Sequence, residues 1–324
     1  MTSMKRDDIH RNLLEALEKK IPDKAELVEK LMGILFMERG AIYRRLRGEV
    51  PFSFYEVVII AEKLYIPFSN LIYSNSTQTD RFELNITDYN NLNEADYKQW
   101  EDYLSLLNRA KNDPHSEMAQ SSNVVPLSIH GRFYFLSKFF LFKYQYLFSG
   151  KENRISFSDV VFPEELYQMY QLYYYVSKNF ANTTYIWDYL IFQYLVTDIK
   201  FFSGTNLIST DDIQLIKKDL FALLDYIEQI ALNGCFKEIG NPISFYISDV
   251  NLDADYLCFQ FNDLYFSHVR TFILNTVIST HPSSFKKIQN WIHSLKKSST
   301  LITQSGSIYR ADFFEKQRMI VSEL

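Results

Sequence analysis

A chain of 324 residues is long enough for two or three folded units, and 47% apolar with 23% charged residues gives it a sizeable core. Only 9 Gly and 8 Pro argue against an all-β sandwich with many tight turns, and 2 Cys, Cys235 and Cys258, form neither a disulfide framework nor metal-ligand spacing, which suits a reducing compartment. The formal net charge of -5 is unevenly placed: Met1 to Ser76 carries 12 Lys and Arg against 11 Asp and Glu, and the remainder 22 against 28.

The N-terminus lacks the apolar core of a signal peptide, so a cytoplasmic protein is expected. Ile9, Leu13, Leu14 and Leu17 recur at helical spacing and predict a first amphipathic helix. Asp23 with Glu26 forms a capping-box pattern that opens a second, whose apolar face is Leu27, Leu31, Ile34 and Leu35. After a short turn around Met37 and Glu38, "RGAIYRRLRG" predicts a third helix stopped by Gly48 and Pro51. Ser53 and Glu56 cap a fourth, with Val57, Ile60, Ala61 and Leu64 on its buried face. A short closing turn through Phe68, Leu71 and Ile72 follows.

At about 100° per residue, Ile42 and Leu46 share the inner side of the third helix, and Arg44 lies opposite with Gly40, Ala41 and Arg47 beside it. That outer surface is small at its N-terminal end and cationic beyond. Small residues let a helix end approach a groove closely, and arginine reads guanine bidentately. Arg44 is expected to contact bases. Arg39, Arg45 and Arg47 are expected on phosphates, and Tyr43 on a phosphate or a thymine methyl. A solvated charged face is the plain alternative.

"AIYRRLRGEVPFSFYEVVIIAEKLYIPFSNLI" resembles the recognition-helix to C-terminal portion of the lambda-repressor-like (Cro/repressor, XRE) helix-turn-helix domains, in particular the BetR-type variant of bacterial regulators. The likeness covers about 70 of the 324 residues. It implies a five-helix fold, binding to an operator in double-stranded DNA, and a homodimer. The second helix departs from the family in holding Lys24 and Glu26 where a phosphate-clamping Gln is common.

Beyond "YSNSTQTD", Tyr73 to Asp80, which reads as a linker, helical patterns run over Asn93–Lys111, Gly131–Phe148, Pro163–Phe180, Tyr185–Ser203 and Ser209–Asn233. The most apolar window, Phe133 to Phe148, is shorter than the roughly 20 residues of a membrane span and carries Lys138 and Lys143. "ISFYISDV" and "DYLCFQF" have strand character and predict a hairpin with "NLDAD" as its turn; this run imitates an EF-hand loop but lacks its glycine and final glutamate. The fold class expected is mainly α. Residues 1–74 form a helix-turn-helix domain of four to five helices and 75–90 a linker. Residues 91–324 form a mostly helical regulatory and dimerisation domain, with an α+β sub-part over 240–324.

No zincin spacing, phosphate-binding glycine loop or nucleophile elbow occurs, so neither an enzyme nor a resident cofactor or metal is expected. The aromatic tracts Tyr167 to Tyr175 and Trp187 to Leu195 read first as helical core and second as either a pocket for a small-molecule or peptide effector or a subunit interface. The whole reads as a DNA-binding transcriptional regulator. The rival is a protein-interaction module that uses the same helices without specific DNA binding.

Overall fold

The computed structural model describes residues 6–64, 66, 71, 82–148 and 155–324. The chain divides into two compact units: Met1–Arg81 with Thr280–Ser284, and Phe82–Ser279 with Phe285–Leu324. Of the closing turn expected after the fourth helix, only Leu71 is among the described residues, helical and buried. The linker stretch Tyr73 to Asp80 lies outside them.

The first unit packs α1 (Arg6–Lys20), α2 (Lys24–Leu35), α3 (Arg39–Leu46) and α4 (Phe54–Lys63) around one core. Leu13 and Leu17 of α1, Leu27 and Leu31 of α2, Ile42 of α3 and Ile60 of α4 are all but fully buried. Asp23 Oδ1 accepts the Glu26 amide at 2.8 Å, satisfying one of the amides a helix start leaves unpaired. Ser53 and Glu56 form a complete capping box at the start of α4. The connection between α2 and α3 is Phe36 to Glu38 alone, and Phe36 stands in the left-handed region at φ 53°. Past α3, Gly48 has φ +75°, where a side chain would be strained.

The second unit overturns the mainly helical reading of residues 91–324. It is built on one eight-stranded mixed sheet, ordered β1-β7-β6-β5-β2-β3-β4-β8. Its strands are β1 (Glu83–Asn85), β2 (Glu117–Ser122), β3 (Asn182–Asp188), β4 (Ile243–Ser248), β5 (Tyr256–Phe261), β6 (Leu264–Thr271), β7 (Asn275–Ser279) and β8 (Ser299–Leu301). β2, β3 and β4 are parallel neighbours; every other pairing is antiparallel. The expected hairpin of "ISFYISDV" and "DYLCFQF" is not formed, because β4 pairs with β3 and β8 while β5 pairs with β2 and β6. The hairpins formed are β5–β6, turning at Asn262 with φ 49°, and β6–β7.

Helices cover both faces. β2 reaches β3 through α6 (Leu127–His130), α7 (Tyr134–Phe148) and α8 (Glu164–Val176), and β3 reaches β4 through α9 (Ile191–Gly204) and α10 (Thr210–Asn233). With α5 (Glu94–Asn108) and α12 (Ser307–Ser322), these helices share one large core with Met118, Tyr185, Trp187, Phe245 and Phe259 of the sheet. The opposite face, with Ala119, Ile186 and Cys258, meets Phe285, Ile288, Ile292 and Leu295 of α11 (Pro282–Leu295). Strict alternation of side chains between the two cores is what a sheet buried on both sides requires.

Candidate nucleic-acid interface and ligand cavity

On α3, Ile42 is buried and Leu46 packs against the core, and Arg39, Gly40, Tyr43 and Arg44 are exposed. Arg44 is exposed and forms no ion pair among the described residues. Gly40 is exposed, and an added Cβ there would meet open space, so nothing internal to the unit asks for a glycine. Ala41 is half-buried and Tyr43 exposed. Arg39 is exposed and pairs with Glu29 of α2, and Arg47 pairs with Glu49 at 2.8 Å in the open. Such exposed pairs are worth about 0–1 kcal/mol, so a phosphate can displace either carboxylate.

Arg45 is different. Its Nε and Nη2 donate to Glu56 Oε2 and Oε1 at 3.1 and 2.9 Å, and the two side chains are only 16% and 11% exposed. Glu56 also accepts the Ser53 amide at 2.8 Å. Burial pushes the Glu56 carboxyl up, but the Arg45 hydrogen bond and charge and the Ser53 amide outweigh it and hold the group below its ordinary value. The guanidinium is committed to fastening α3 to the start of α4.

The second unit holds a cavity of about 210 Å³ between the sheet and α5 and α8, closed on one side by the segment Val125–His130 that follows β2. Trp100 and Tyr103 of α5 and Tyr170 and Tyr173 of α8 wall it with aromatic rings. Their positions follow from helical spacing: each pair is three residues apart on one face. The sheet contributes Phe266, His268 and Arg270, alternate residues of β6 on the same face as Phe259.

Two histidines line it, and both are held neutral. His130, fully buried, stacks on Phe140 with ring centres 4.5 Å apart and shares a 3.1 Å hydrogen bond between Nδ1 and Ser137 Oγ. Burial, with the Arg270 charge nearby, lowers it to about 3. Burial likewise lowers His268 to about 4, with Asp255 opposing and Arg270 assisting. Burial raises the Tyr103, Tyr170 and Tyr173 hydroxyls, which therefore stay protonated.

The permanent cation is Arg270. Its Nη1 donates to the Ile273 carbonyl at 3.3 Å, and its Nε stands 3.7 Å from Asp255 Oδ2, too far for a hydrogen bond. Asp255 accepts from Gln120 Nε2 at 2.8 Å, and the Gln120 carbonyl is within 3.5 Å of the Ser128 hydroxyl, itself 2.9 Å from the Tyr185 hydroxyl. This chain fixes the carboxylate on the cavity wall. Beside it, the β6–β7 turn carries Phe272 at φ 44° and Ile273 at φ 70°. A β-branched residue there is strained, and strain of this kind collects where a structure holds a site in shape.

Of the aromatic tracts singled out in the sequence, Tyr170 and Tyr173 line the cavity, whereas Trp187 is fully buried in the core and Tyr189 packs on Phe313. Missed altogether were Trp100, His130, Asp255, His268 and Arg270. The signal for the last two was a histidine and an arginine two apart, in phase with Phe266 on the inward side of a strand. The EF-hand imitation is taken apart by the fold: Asp249 accepts the Tyr309 hydroxyl at 2.9 Å, and Asp255 belongs to the cavity. At the carboxyl end of β3, where open parallel sheets often bind ligands, Asp188 accepts the Leu190 and Leu252 amides at 2.7 Å each and is consumed in fastening loops. Among the described residues, no group of three His, Cys, Asp or Glu is placed to hold a metal ion, and no helix is long and apolar enough to cross a membrane.

Compared with known proteins, the chain matches no protein-family model, and no curated protein or solved structure is significantly similar to it.

Proposed function

We propose that the protein is a sequence-specific DNA-binding transcriptional regulator, in which α3 enters the major groove and the second unit serves dimerisation and effector sensing. The observation that carries this reading is the outer surface of α3. Arg44 stands exposed without an ion-pair partner among the described residues, flanked by Gly40 and Ala41, on a helix joined to α2 by three residues. In this arrangement the helix N-terminus and Arg39 and Arg47 hold phosphates while Arg44 reads a base edge. A homodimer would set two such helices about 34 Å apart, on a palindromic operator.

The test is selection of bound sequences from a random double-stranded pool, followed by mobility-shift titration of the selected site. Arg44→Ala is expected to weaken the selected site about fivefold to a hundredfold, from ~1 to 3 kcal/mol per base-reading arginine, while non-specific binding changes little. Wild-type affinity should fall steeply with added salt. Equal binding of selected and random DNA by the wild type would end the reading.

One observation favours the rival. Phe36, Phe54 and Tyr55 are 94%, 73% and 73% exposed on the first unit, an unusual set of large apolar side chains to leave in water. Under a protein-interaction role they would anchor a partner. DNA association would then be weak and insensitive to Arg44→Ala.

A further inference from the structure

The aromatic cavity of the second unit combines three features that a packed core does not need. The first is volume. About 210 Å³ of space is left inside a unit that otherwise buries Phe139, Phe142, Trp187 and Phe245 completely. Pockets for drug-sized ligands run to roughly 300–1,000 Å³, so this one suits a compact molecule on the order of ten non-hydrogen atoms.

The second is a guanidinium with spare donors. A guanidinium carries five N–H donors, and among the described residues the Arg270 side chain hydrogen-bonds only to Ile273 O. Its side chain is 24% exposed, and its ion-pair neighbour Asp255 holds Gln120 on Oδ1 and stands with Oδ2 3.7 Å from Arg270 Nε, which leaves the other guanidinium donors unspent. A planar fork with spare donors is the preferred partner of a carboxylate.

The third is the build of the surroundings. Trp100 and Tyr103 pack on Tyr170 and Tyr173 with ring centres 5.7 to 6.2 Å apart, and the four together line the space as one aromatic wall. The strained Phe272–Ile273 turn brings a carbonyl to Arg270 Nη1 and so orients the fork. Asn275 holds the segment before α5 over the same end: its Oδ1 accepts the Thr87 amide at 2.7 Å, and its Nδ2 donates to the Thr87 carbonyl at 3.3 Å.

We infer that this cavity is a binding site for a small organic carboxylate with a flat apolar body, the carboxylate on Arg270 and the body against the wall that the α5 and α8 rings form together. The neutral state of His130 and His268 leaves Arg270 as the only full positive charge among the described lining residues. Asp255 lies close enough to favour an ammonium on the same ligand, so an aromatic amino acid and a simple aromatic acid share the required chemistry. The inference stands on the second unit alone and does not depend on DNA binding.

The experiment uses the full chain and follows tryptophan fluorescence and thermal stability during titration with benzoate, phenylacetate, indole-3-acetate and phenylalanine. Benzamide and phenylacetamide are the uncharged controls. Saturable binding is expected for at least one carboxylate, at least tenfold tighter than its amide. Tighter binding of phenylalanine than of phenylacetate would assign the ammonium to Asp255, and the reverse order would leave a simple acid.

Arg270→Gln should bring carboxylate and amide to equal affinity, and Arg270→Lys should retain part of the difference. Should Arg270→Gln fail to fold, the wild-type comparison of acid with amide still decides. Amides binding as well as acids, or no saturable response to any carboxylate, overturns the assignment.

Discussion

Arg44 and Arg45 are chain neighbours with the same side chain, yet the fold gives them opposite tasks. Arg44 projects from the outer side of α3, whereas Arg45 is caught by Glu56 through two hydrogen bonds in a half-buried setting. Removing Arg45 would leave the Glu56 carboxylate without its cation while the capping box still demands the charge. Arg45→Ala is therefore expected to destabilise the first unit by about 2 kcal/mol, as lost hydrogen bonds to a charged group do. Arg44→Ala should change stability by no more than about 0.5 kcal/mol, as surface substitutions do. Denaturant melts of both variants, read by circular dichroism, check the pair. Equal loss of stability in the two would show that the Arg45–Glu56 bond does not fasten the unit.

Among the elements, the connection between α2 and α3 is the least expected. A helix commonly ends on a left-handed glycine, but this one ends on Phe36 at φ 53° with its ring in solvent. A side chain in that region costs about 1–2 kcal/mol, and the exposed ring returns little by packing. Phe36→Gly is expected to raise the stability of the first unit by up to about 1 kcal/mol after the added chain entropy of glycine. A lower midpoint in a denaturant melt would mean that Phe36 packs on something, which its exposure argues against.

The four helices of this unit were legible because each carried its own local signal: the spacing of Ile9, Leu13, Leu14 and Leu17 for α1, Asp23 with Glu26 for α2, Gly48 for α3, and Ser53 with Glu56 for α4. The second unit hid its strands. β2 reads "EMAQSS", with Ser121 and Ser122 fully buried, so a polar run conceals a central strand. β3, "NTTYIWD", runs through Trp187 and Asp188 into the aromatic start of α9, and the helical pattern begun at Tyr185 absorbed half of it. Parallel strands covered on both faces lose the polar alternation that marks a strand in sequence. The cavity was half legible. Tyr170 and Tyr173 lay in a tract chosen for its aromatics, but Arg270, His268 and Asp255 meet them only through strand pairing across the β5–β6 hairpin.

At the scale of the whole chain, two compact units with separate cores invite separate unfolding, and their acid responses should differ. In the first unit, Glu56 has a folded pKa below its ordinary 4.5. Its contribution is fully present above 4.5 and is lost as pH falls through the lower folded value. In the second, His130 and His268 are depressed from 6.5 to about 3 and about 4. Between those limits the unfolded chain binds more protons than the folded one, so stability declines as pH drops below 6.5. With some discount for the half-buried His268, the slope should approach about 1–2 kcal/mol per pH unit. All 3 tryptophans, Trp100, Trp187 and Trp291, lie in the second unit, so their fluorescence follows that unit alone while calorimetry follows both. Between pH 6.5 and 5 the fluorescence-detected midpoint should fall while the other transition holds, and His130→Gln should flatten that decline. A fluorescence midpoint that stays level across this range would mean that the cavity histidines are not held neutral by burial.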